Sequence, residues 1–466
     1  MLQTKMMARS KEPVQAKSTL ILSMCFAYIV HYLTNSNIFD LFLVVLCVVV
    51  FLLSIGVARP LPRYFSIGMF ITGVVINVLK GTPIEGTANG ILANMPVMSL
   101  VILVPLLTIP FKIDGYFDSI HFYMEKYSHR SRKIFGSISL FIFFLGPIFN
   151  IGTIRILHET IKDIKLAPVI LAKSYLVGFS TVILWSPYFA SVALVLYYLD
   201  VPILHYIPIG LPLAVFQFVC GNLLFWIWLK QNKLSDEVSR IDSFHEKGNV
   251  VLEACQRKKM IQLILLLICL IGLLFLFEFL TKWPMMFLVS SISIAYPVLW
   301  SLTTQKWTEF INHFNTFKKF SVPLMNNEIV LFMSAGLFGN ALTGTAVSHG
   351  IKMFLNRTAS ISFLLFIIMI VGIVLVFTFI GVHQIVVVTA LVTQMDAGMI
   401  GTRPEVLALL LMMSWSMSAV ISPVNPINLL VSGLLEKSGI SVGLRWNGVF
   451  LLVMLIIGST FVYLIH

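Results

Sequence analysis

Apolar runs of about 20 residues recur along the whole chain, and each is long enough to cross a bilayer as a helix. A hydrocarbon core about 30 Å thick takes roughly 20 helical residues. Only 11% of the 466 residues are charged, whereas soluble domains carry roughly 25%. The sequence therefore predicts an all-α polytopic membrane protein. Spans are expected near residues 18–34, 38–57, 64–80, 91–111, 168–198, 207–229, 260–281, 284–302, 328–346, 404–434 and 446–465.

Lysine and arginine residues concentrate in every second loop between these runs. They lie before the first run, between the second and third, after the fourth, and within the long polar stretch 230–259. Cytoplasmic loops carry an excess of Lys and Arg. The protein is therefore predicted to lie in the cell membrane with a cytoplasmic N-terminus. The formal net charge of +12 reflects this orientation, so no nucleic-acid partner is expected.

Two segments depart from the pattern of simple crossings. Segment 134–165 has an apolar first half, a Gly-Pro break at 146–147 and a more polar second half, with basic residues at both ends. Segment 361–398 breaks in a similar way over residues 381–384. Lipid cannot satisfy open backbone groups, so a hairpin at this depth must be covered by protein or line a wet cavity. Both segments are predicted to be re-entrant helical hairpins.

Two further spans are interrupted by proline. The span 404–434 contains "SPVNPIN" from Ser422 to Asn428, and in the span 168–198 a proline follows Ser186. Each proline removes a backbone donor and clashes with the preceding turn, which leaves carbonyl groups without partners. In lipid such groups are penalised by several kcal/mol, whereas in a cavity they can bind a cation or a polar solute. The alternative is a kink whose free groups are satisfied by neighbouring helices. The residues expected to line the site are Ser186, Ser422, Asn425 and Asn428.

These interruptions recur at a nearly constant interval. Ser422 follows Ser186 by 236 positions, and the second hairpin tip follows the first by 235. Each half then has five spans, an amphipathic stretch and a hairpin. Because five is odd, the second copy must insert upside down, as in the inverted repeats of secondary transporters.

The predicted protein therefore has about 11 transmembrane helices, two re-entrant hairpins and two broken helices. No cleavage pattern follows the first apolar run, so that run is expected to stay as a helix. The four parts are a cytoplasmic tail with the first span, the first repeat, a cytoplasmic linker and the second repeat, at residues 1–37, 38–229, 230–259 and 260–466.

Polar groups near the first hairpin tip point to an anionic solute. Asn150 and Thr153 lie at the tip, and Arg155 follows Thr153 by two residues. A guanidinium group can hold a carboxylate or phosphate with two parallel hydrogen bonds. The alternatives are an arginine that extends to the cytoplasmic face or one that pairs with Glu159.

At the second tip, His383 is the only titratable residue, and Gln384 lies beside it. Histidine exchanges a proton near neutral pH, which would suit proton coupling. The alternative is a neutral, hydrogen-bonded histidine in the core.

Paired hairpins, each followed by a span broken at proline, resemble the ion transporter superfamily. The divalent anion–sodium symporters are the nearest group, and "NPIN" (425–428) is similar to their Thr-Pro-Pro-Asn break. The tips "GPIFNIGT" (146–153) and "GVHQ" (381–384) lack the Ser-Asn-Thr signature of that group. The resemblance implies a hairpin domain moving against a fixed scaffold, and a homodimer. It does not carry over an ion or a substrate.

Function is therefore expected to be secondary active transport of a small anionic organic solute by an elevator-like, alternating-access mechanism. Protons or Na⁺ would be the coupling ion, and membrane lipids would surround the protein. No catalytic motif, cysteine pair or metal-ligand pattern occurs, so neither an enzyme nor a metal or other cofactor is expected. The alternatives are an integral membrane enzyme or flippase acting on a lipid-linked substrate, and a membrane scaffold without transport.

Overall fold

The structure is a computed structural model that describes residues 12–34, 37–127, 130–164, 166–232 and 250–466. Within these ranges no strand forms, and ten helices are long and apolar enough to cross a membrane. These features define an integral, multi-pass, all-α membrane protein and confirm what the apolar runs predict. Most of the predicted linker 230–259 lies outside the described residues.

The helices of the first half follow the predicted spans, with shifts of a few residues at their ends. The span expected at 91–111 consists of short helices, because Pro96 and Pro105 interrupt it and a 3-10 turn forms at Val104–Leu107. In chain order the helices are α1 (Glu12–Thr34), α2 (Asn37–Ile55), α3 (Pro60–Leu79), α4 (Glu85–Ala93), α5 (Met95–Leu103), α6 (Thr108–Ile113), α7 (Tyr116–Tyr127), α8 (Ser131–Phe149), α9 (Gly152–Ile161), α10 (Pro168–Ile183), α11 (Ala190–Tyr198) and α12 (Ile203–Gln231).

The second half has the same kinds of element. Two π-helical turns, Phe317–Ser321 and Ser441–Arg445, widen the backbone next to longer helices. In chain order the helices are α13 (Val250–Thr281), α14 (Met285–Thr303), α15 (Trp307–Thr316), α16 (Asn326–Leu342), α17 (Ala346–Ile361), α18 (Phe363–Phe379), α19 (Gln384–Val392), α20 (Ala397–Ile400), α21 (Pro404–Ile421), α22 (Pro426–Leu435) and α23 (Trp446–Ile465).

The sequence prediction uses length to distinguish membrane-crossing helices from hairpin arms. In the structure, the helix lengths do not separate these two classes clearly. Three apolar stretches are shorter than 18 residues, at Phe39–Ile55, Pro168–Ile183 and Phe363–Phe379. The predicted hairpin arm α8, by contrast, has 19 residues and is long enough to cross. Of the two broken helices, the first has an initial segment of 16 residues and the second one of 18 residues, so only the second is counted among the ten.

Contacts join residues of distant loops that the Lys/Arg rule assigns to the same face. The Tyr32 and Trp283 rings, both expected outside, lie 6.4 Å apart. Lys306 Nζ and Asp114 Oδ1, both expected inside, lie 2.8 Å apart. Residues that the Lys/Arg rule assigns to one face therefore meet in the structure.

Two groups of helices pack in matching ways. In one group, α8 lies along α10 and α18 lies along α21, so each predicted hairpin arm packs on the broken helix that follows it. The broken helices α10 and α21 contact each other, with α12 and α23 beside them. In the other group, α3 packs along α16, and α14 packs on α5. The broken helices therefore lie among elements from both halves of the chain.

Candidate functional site

The two helix breaks have the same backbone pattern. At the first, Ser186 N donates to Val182 O at 3.1 Å and Phe189 N donates to Ser186 O at 3.1 Å. At the second, Ser422 N donates to Ser418 O at 3.0 Å and Asn425 N donates to Ser422 O at 3.2 Å. Every atom pair at the second break lies 236 positions after its counterpart. The constant offset extends to the next helices, since α11 begins at residue 190 and α22 at residue 426.

The broken helices touch six residues before each break. Ser416 Oγ on α21 donates to the carbonyl of Ser180 on α10 at 2.8 Å, and these two residues are also 236 positions apart. Gln217 on α12 donates from Nε2 to the hydroxyls of Ser180, at 2.9 Å, and Ser416, at 3.4 Å. All three side chains are buried. We call this set the crossing cluster.

The carbonyl groups released by the breaks are satisfied by side chains. At the first break, the Leu184 carbonyl accepts a hydrogen bond from the Tyr206 hydroxyl at 2.7 Å. At the equivalent position of the second, the Val420 carbonyl accepts from Asn428 Nδ2 at 2.9 Å. The same Asn428 nitrogen donates to Gly439 O at 3.0 Å, while its Oδ1 is buried without a partner. Both carbonyls thus accept hydrogen bonds from nearby side chains. This is what the alternative interpretation, a kink whose free groups are satisfied by its neighbours, predicts.

Glycines make room for both of these capping side chains. A Cβ on Gly443 would lie 2.5 Å from Asn428 Nδ2 and 2.5 Å from Val420 O. A Cβ on Gly210 would lie 2.4 Å from the Tyr206 ring. A side chain at either position would force the capping side chain to move. Glycine is therefore needed at both positions for the carbonyl at each break to keep its hydrogen-bond donor.

The second tip is joined to the second break by a network centred on Gln384. Its Oε1 accepts from Ser418 Oγ at 3.0 Å and from Asn425 Nδ2 at 2.8 Å. Ser422 Oγ donates to the carbonyl of Thr378, at the end of α18, at 2.7 Å. Three of the residues expected in the site, Gln384, Ser422 and Asn425, thus meet here with Ser418 and Thr378. We call these five residues the tip network.

Asn425 and His383 have a second, local function as helix caps. Asn425 Oδ1 accepts from Ile427 N at 3.0 Å, at the start of α22. His383 Nδ1 accepts from Ile385 N at 3.2 Å, at the start of α19. A histidine that accepts through Nδ1 is neutral and carries its hydrogen on Nε2. Each cap satisfies one of the free N–H groups of its helix.

The first tip is built differently. Asn150 ends α8 with φ +50°, and its Oδ1 accepts from Ile151 N at 2.8 Å. The Thr153 hydroxyl is buried without a partner, whereas Arg155 is exposed. Glu159, the alternative partner of Arg155, pairs with Lys162 at 2.9 Å.

Apolar contacts join α8 to the first break. The Phe143 and Trp185 rings stack with centroids 5.4 Å apart, and a Cβ on Gly146 would meet Val182 at 2.8 Å. The Ser186 hydroxyl is buried without a partner. In the described part of the chain, no hydrogen bond joins Ser186 to Asn150, Thr153 or Arg155. The structure therefore brings together three predicted residues of the second half, Gln384, Ser422 and Asn425, and no hydrogen bond in its described part joins Ser186 to the predicted residues of the first tip.

Several polar residues in this region were missed by sequence reasoning. Ser180, Gln217 and Ser416 form the crossing cluster, and the 236-residue interval would have paired the two serines. Lys173 on α10 was also missed, although a lysine within an apolar helix is a standard sign of function or of a specific partner. Its Nζ donates to the Trp446 carbonyl and lies 5.3 Å from the Trp228 ring centroid.

No group of three or more His, Cys, Asp or Glu side chains that could hold a metal ion occurs in the described ranges. The five cysteines are free. The polar groups around the breaks are hydroxyls, amides, one imidazole and the buried indole N–H of Trp185, which suit the binding of polar solutes.

No protein-family model matches this chain, and no curated protein matches it. Fold and contacts define an integral membrane protein in which two interrupted helices from opposite halves of the chain cross. Its function has to be inferred from the geometry at that crossing.

Proposed function

We propose that this protein is a secondary active transporter with inverted repeats, which moves a small anionic organic solute by an elevator-like mechanism. The observation that carries the proposal is the contact between Ser180 and Ser416 at the constant interval of 236 residues. Interrupted helices paired across inverted repeats are typical of secondary transporters, where they form the substrate and ion sites.

The geometry of this contact supports a two-fold relation between the halves. If an axis relates each residue to the one 236 positions later, only residues near the axis can touch their own counterparts. Ser180 and Ser416 are such a pair. The breaks at Ser186 and Ser422 lie six residues further along, which is about 9 Å of helix. The two breaks would then face opposite sides of the bilayer centre.

The packing of the arms supports movement of one group of helices against another. Each arm, α8 or α18, packs on the broken helix of its own half. Helices α3, α5, α14 and α16 form the other set of contacts and would be the scaffold. The predicted re-entrant hairpins 134–165 and 361–398 would move with the broken helices. As in the ion transporter superfamily, which the chain resembles, the scaffold would also form a homodimer.

The solute site is proposed between the tips and the breaks. The tip network would supply hydroxyl and amide groups on one side, and Thr153 and Ser186, with their unpartnered buried hydroxyls, would supply them on the other. Arg155 is exposed beside the first tip, where it can meet an anionic solute before it is enclosed. The coupling ion is a proton or Na⁺.

Uptake by proteoliposomes tests the proposal. Purified protein would be assayed with radiolabelled acetate, lactate, succinate and citrate under an imposed pH gradient and, separately, an imposed Na⁺ gradient. We expect accumulation of at least one of these anions, several-fold above protein-free liposomes. Asn425→Ala should abolish it, because the variant removes both a helix cap and a donor to Gln384. Ser414→Ala is the matched control, since that hydroxyl bonds only within its own helix, to Leu410 O.

The same preparation separates the proposal from its alternatives. Movement of a fluorescent phospholipid between leaflets, with no uptake of any anion, would identify a flippase instead. Absence of both activities, in protein that is folded and monodisperse, would contradict transport and favour the membrane scaffold.

A further inference from the structure

Several oxygen atoms of the second tip and break already accept hydrogen bonds. Gln384 Oε1 accepts two donors, and the Thr378 carbonyl accepts from Ser422 Oγ at 2.7 Å and from Gly381 N at 3.3 Å. The carbonyl of Ser422 accepts from Asn425 N, and that of Val420 accepts from Asn428. A dehydrated Na⁺ needs several oxygen ligands, typically carbonyls of an unwound helix. These four oxygens already face N–H and O–H groups.

Asn428 Oδ1, by contrast, is buried without a partner. The nitrogen of the same amide is held by Val420 O and Gly439 O, which fixes the orientation of the group. This oxygen by itself does not form a cation cage. The hydrogen bonds at the second break join the second tip and the two segments of the broken helix to each other.

His383 is the group at this tip that can bind an ion without rearranging those oxygens. Its Nδ1 lone pair accepts the Ile385 N–H at 3.2 Å. A proton can take the place of this hydrogen bond, because the imidazolium form donates from both nitrogens and can no longer accept. The Ile385 amide then loses its partner, and α19 loses its cap.

The position of the tip gives a route for the proton. A Cβ on Gly381 would lie 3.5 Å from Leu61, which is on the first turn of α3 and 45% exposed. Arg59 and Arg63 place this end of α3 on the predicted cytoplasmic face. At the other end of α18, on the predicted outer side, the Phe363 ring stacks on His466 with ring centroids 3.6 Å apart. The tip is therefore about 26 Å of helix from the outer side. His383 itself is partly exposed.

Few charged groups surround His383. Helices α11, α16, α18 and α21 pack against α19, and α18 carries no titratable side chain. Glu405 is on the first turn of α21, about 25 Å of helix from the break at Ser422. The remaining titratable side chains on the packed helices and on the adjoining turn of α3 are Tyr197, Tyr198, Glu328, Arg63 and Tyr64. Glu328 is therefore the acidic residue that a test must separate from His383.

We propose that the coupling ion is the proton and that His383 carries it, by exchanging the hydrogen bond that caps α19 for a bound proton. This inference rests on the proposed transport function and narrows it from two coupling ions to one. Protonation releases the first turn of α19 next to Gln384, the centre of the tip network. Loading of the proton is thereby linked to loosening of the second tip.

The transport test uses His383→Asn, because asparagine caps a helix well but does not titrate. In proteoliposomes with the four anions above, an inside-alkaline pH gradient should drive accumulation by the native protein, and a Na⁺ gradient should not. His383→Asn should lose this accumulation and keep anion-for-anion exchange. Glu328→Gln should behave as the native protein. Accumulation driven by Na⁺, or unchanged accumulation by His383→Asn, would overturn the proposal.

A second measurement needs no solute. Hydrogen–deuterium exchange of residues 384–388 in the detergent-solubilised protein would be followed at pH 4 and pH 8 and corrected for intrinsic rates. The native protein should exchange several-fold faster at pH 4, His383→Asn should show no such change, and replacing K⁺ with Na⁺ should have no effect. An unchanged native rate would refute the proton switch even if transport is found. If neither anion uptake nor anion-for-anion exchange is found, the transporter proposal is refuted. The switch at His383 is still supported if the hydrogen–deuterium exchange rate depends on pH as expected.

Discussion

The Ser416 hydroxyl donates to the Ser180 carbonyl at 2.8 Å, across two helices that belong to different halves of the chain. The same interval of 236 residues separates Ser186 from Ser422 and Leu184 from Val420. One contact thus sets the positions of both breaks relative to each other, because each lies six residues beyond it. A substitution in the crossing cluster should therefore affect the positions of both breaks.

Ser416→Ala is expected to lower stability by about 1 kcal/mol, the scale of one buried hydrogen bond between helices in a membrane protein. The variant leaves the Ser180 carbonyl without this donor and removes an acceptor of Gln217. The melting temperature in detergent checks it, with Ser414→Ala as control. Combined with Gln217→Leu, the loss should be smaller than the sum of the single losses, since both act on one cluster. Strict additivity would show that the cluster is not a unit.

Gly443→Ala is expected to destabilise the second break by about 1–3 kcal/mol, the usual cost of overpacking. The new methyl group would lie 2.5 Å from the Asn428 nitrogen and from the Val420 carbonyl, so the cap must move. Gly433→Ala is the control, because nothing lies within 4 Å of the equivalent position. Melting temperatures of the two variants give the comparison. Equal values for both would mean that Asn428 does not hold the break.

The sequence was sufficient for features that depend on local rules. Apolar length predicts the spans, and the prolines after Ser186 and Ser422 predict the breaks, because a proline removes a donor wherever it stands. The predicted interruption and its interval of 236 both agree with the helix ends.

Features that depend on distant partners were not predictable. Asn428 and Ser422 were expected to line an open site, but they bond to Val420 and Thr378. Gln217 lies in an ordinary apolar span, and its partners come from two other helices. Arg155 was expected to reach an enclosed solute, yet it is exposed because its position on α9 turns it away from the buried face with Thr153. Which face a side chain takes depends on how helices pack.

Gln384→Leu is expected to abolish uptake, whereas Gln384→Glu should keep part of it. Leucine leaves the Ser418 hydroxyl and the Asn425 amide without an acceptor, while a carboxylate still accepts from both. Uptake of the transported anion in proteoliposomes, normalised to the amount of reconstituted protein, is the measurement. Equal uptake by the two variants would remove the tip network from the proposed mechanism.

The ion pair between Lys306 and Asp114 should contribute to stability in a salt- and pH-dependent way. The hydrogen bond from Nζ to the Asp114 carboxylate raises the pKa of Lys306 above its usual value. A raised lysine pKa stabilises the fold below the unfolded-state value of about 10.4 and ceases to do so as pH rises past the folded-state value. Asp114→Asn should cost about 0.5 kcal/mol at neutral pH, because both groups are partly exposed.

That loss should shrink in 1 M salt, where the screening length is about 3 Å, and at strongly alkaline pH. Melting temperatures of Asp114→Asn and the native protein, compared at low and high salt, check this. Asp163→Asn, at an exposed position in Lys162–Ile164, is the control. A difference that is independent of salt would mean that Asp114 acts by packing rather than by charge.

Cysteine labelling tests the orientation of the chain. Cys255 is exposed and free near the start of α13, on the predicted cytoplasmic side. A membrane-impermeant maleimide should leave it unlabelled in intact cells and label it after permeabilisation. Thr343→Cys in a Cys255→Ser background should react in intact cells, because Thr343 is exposed after α16, on the predicted outer side. Labelling of Cys255 in intact cells would invert the orientation and turn the second tip, with His383, toward the outer side.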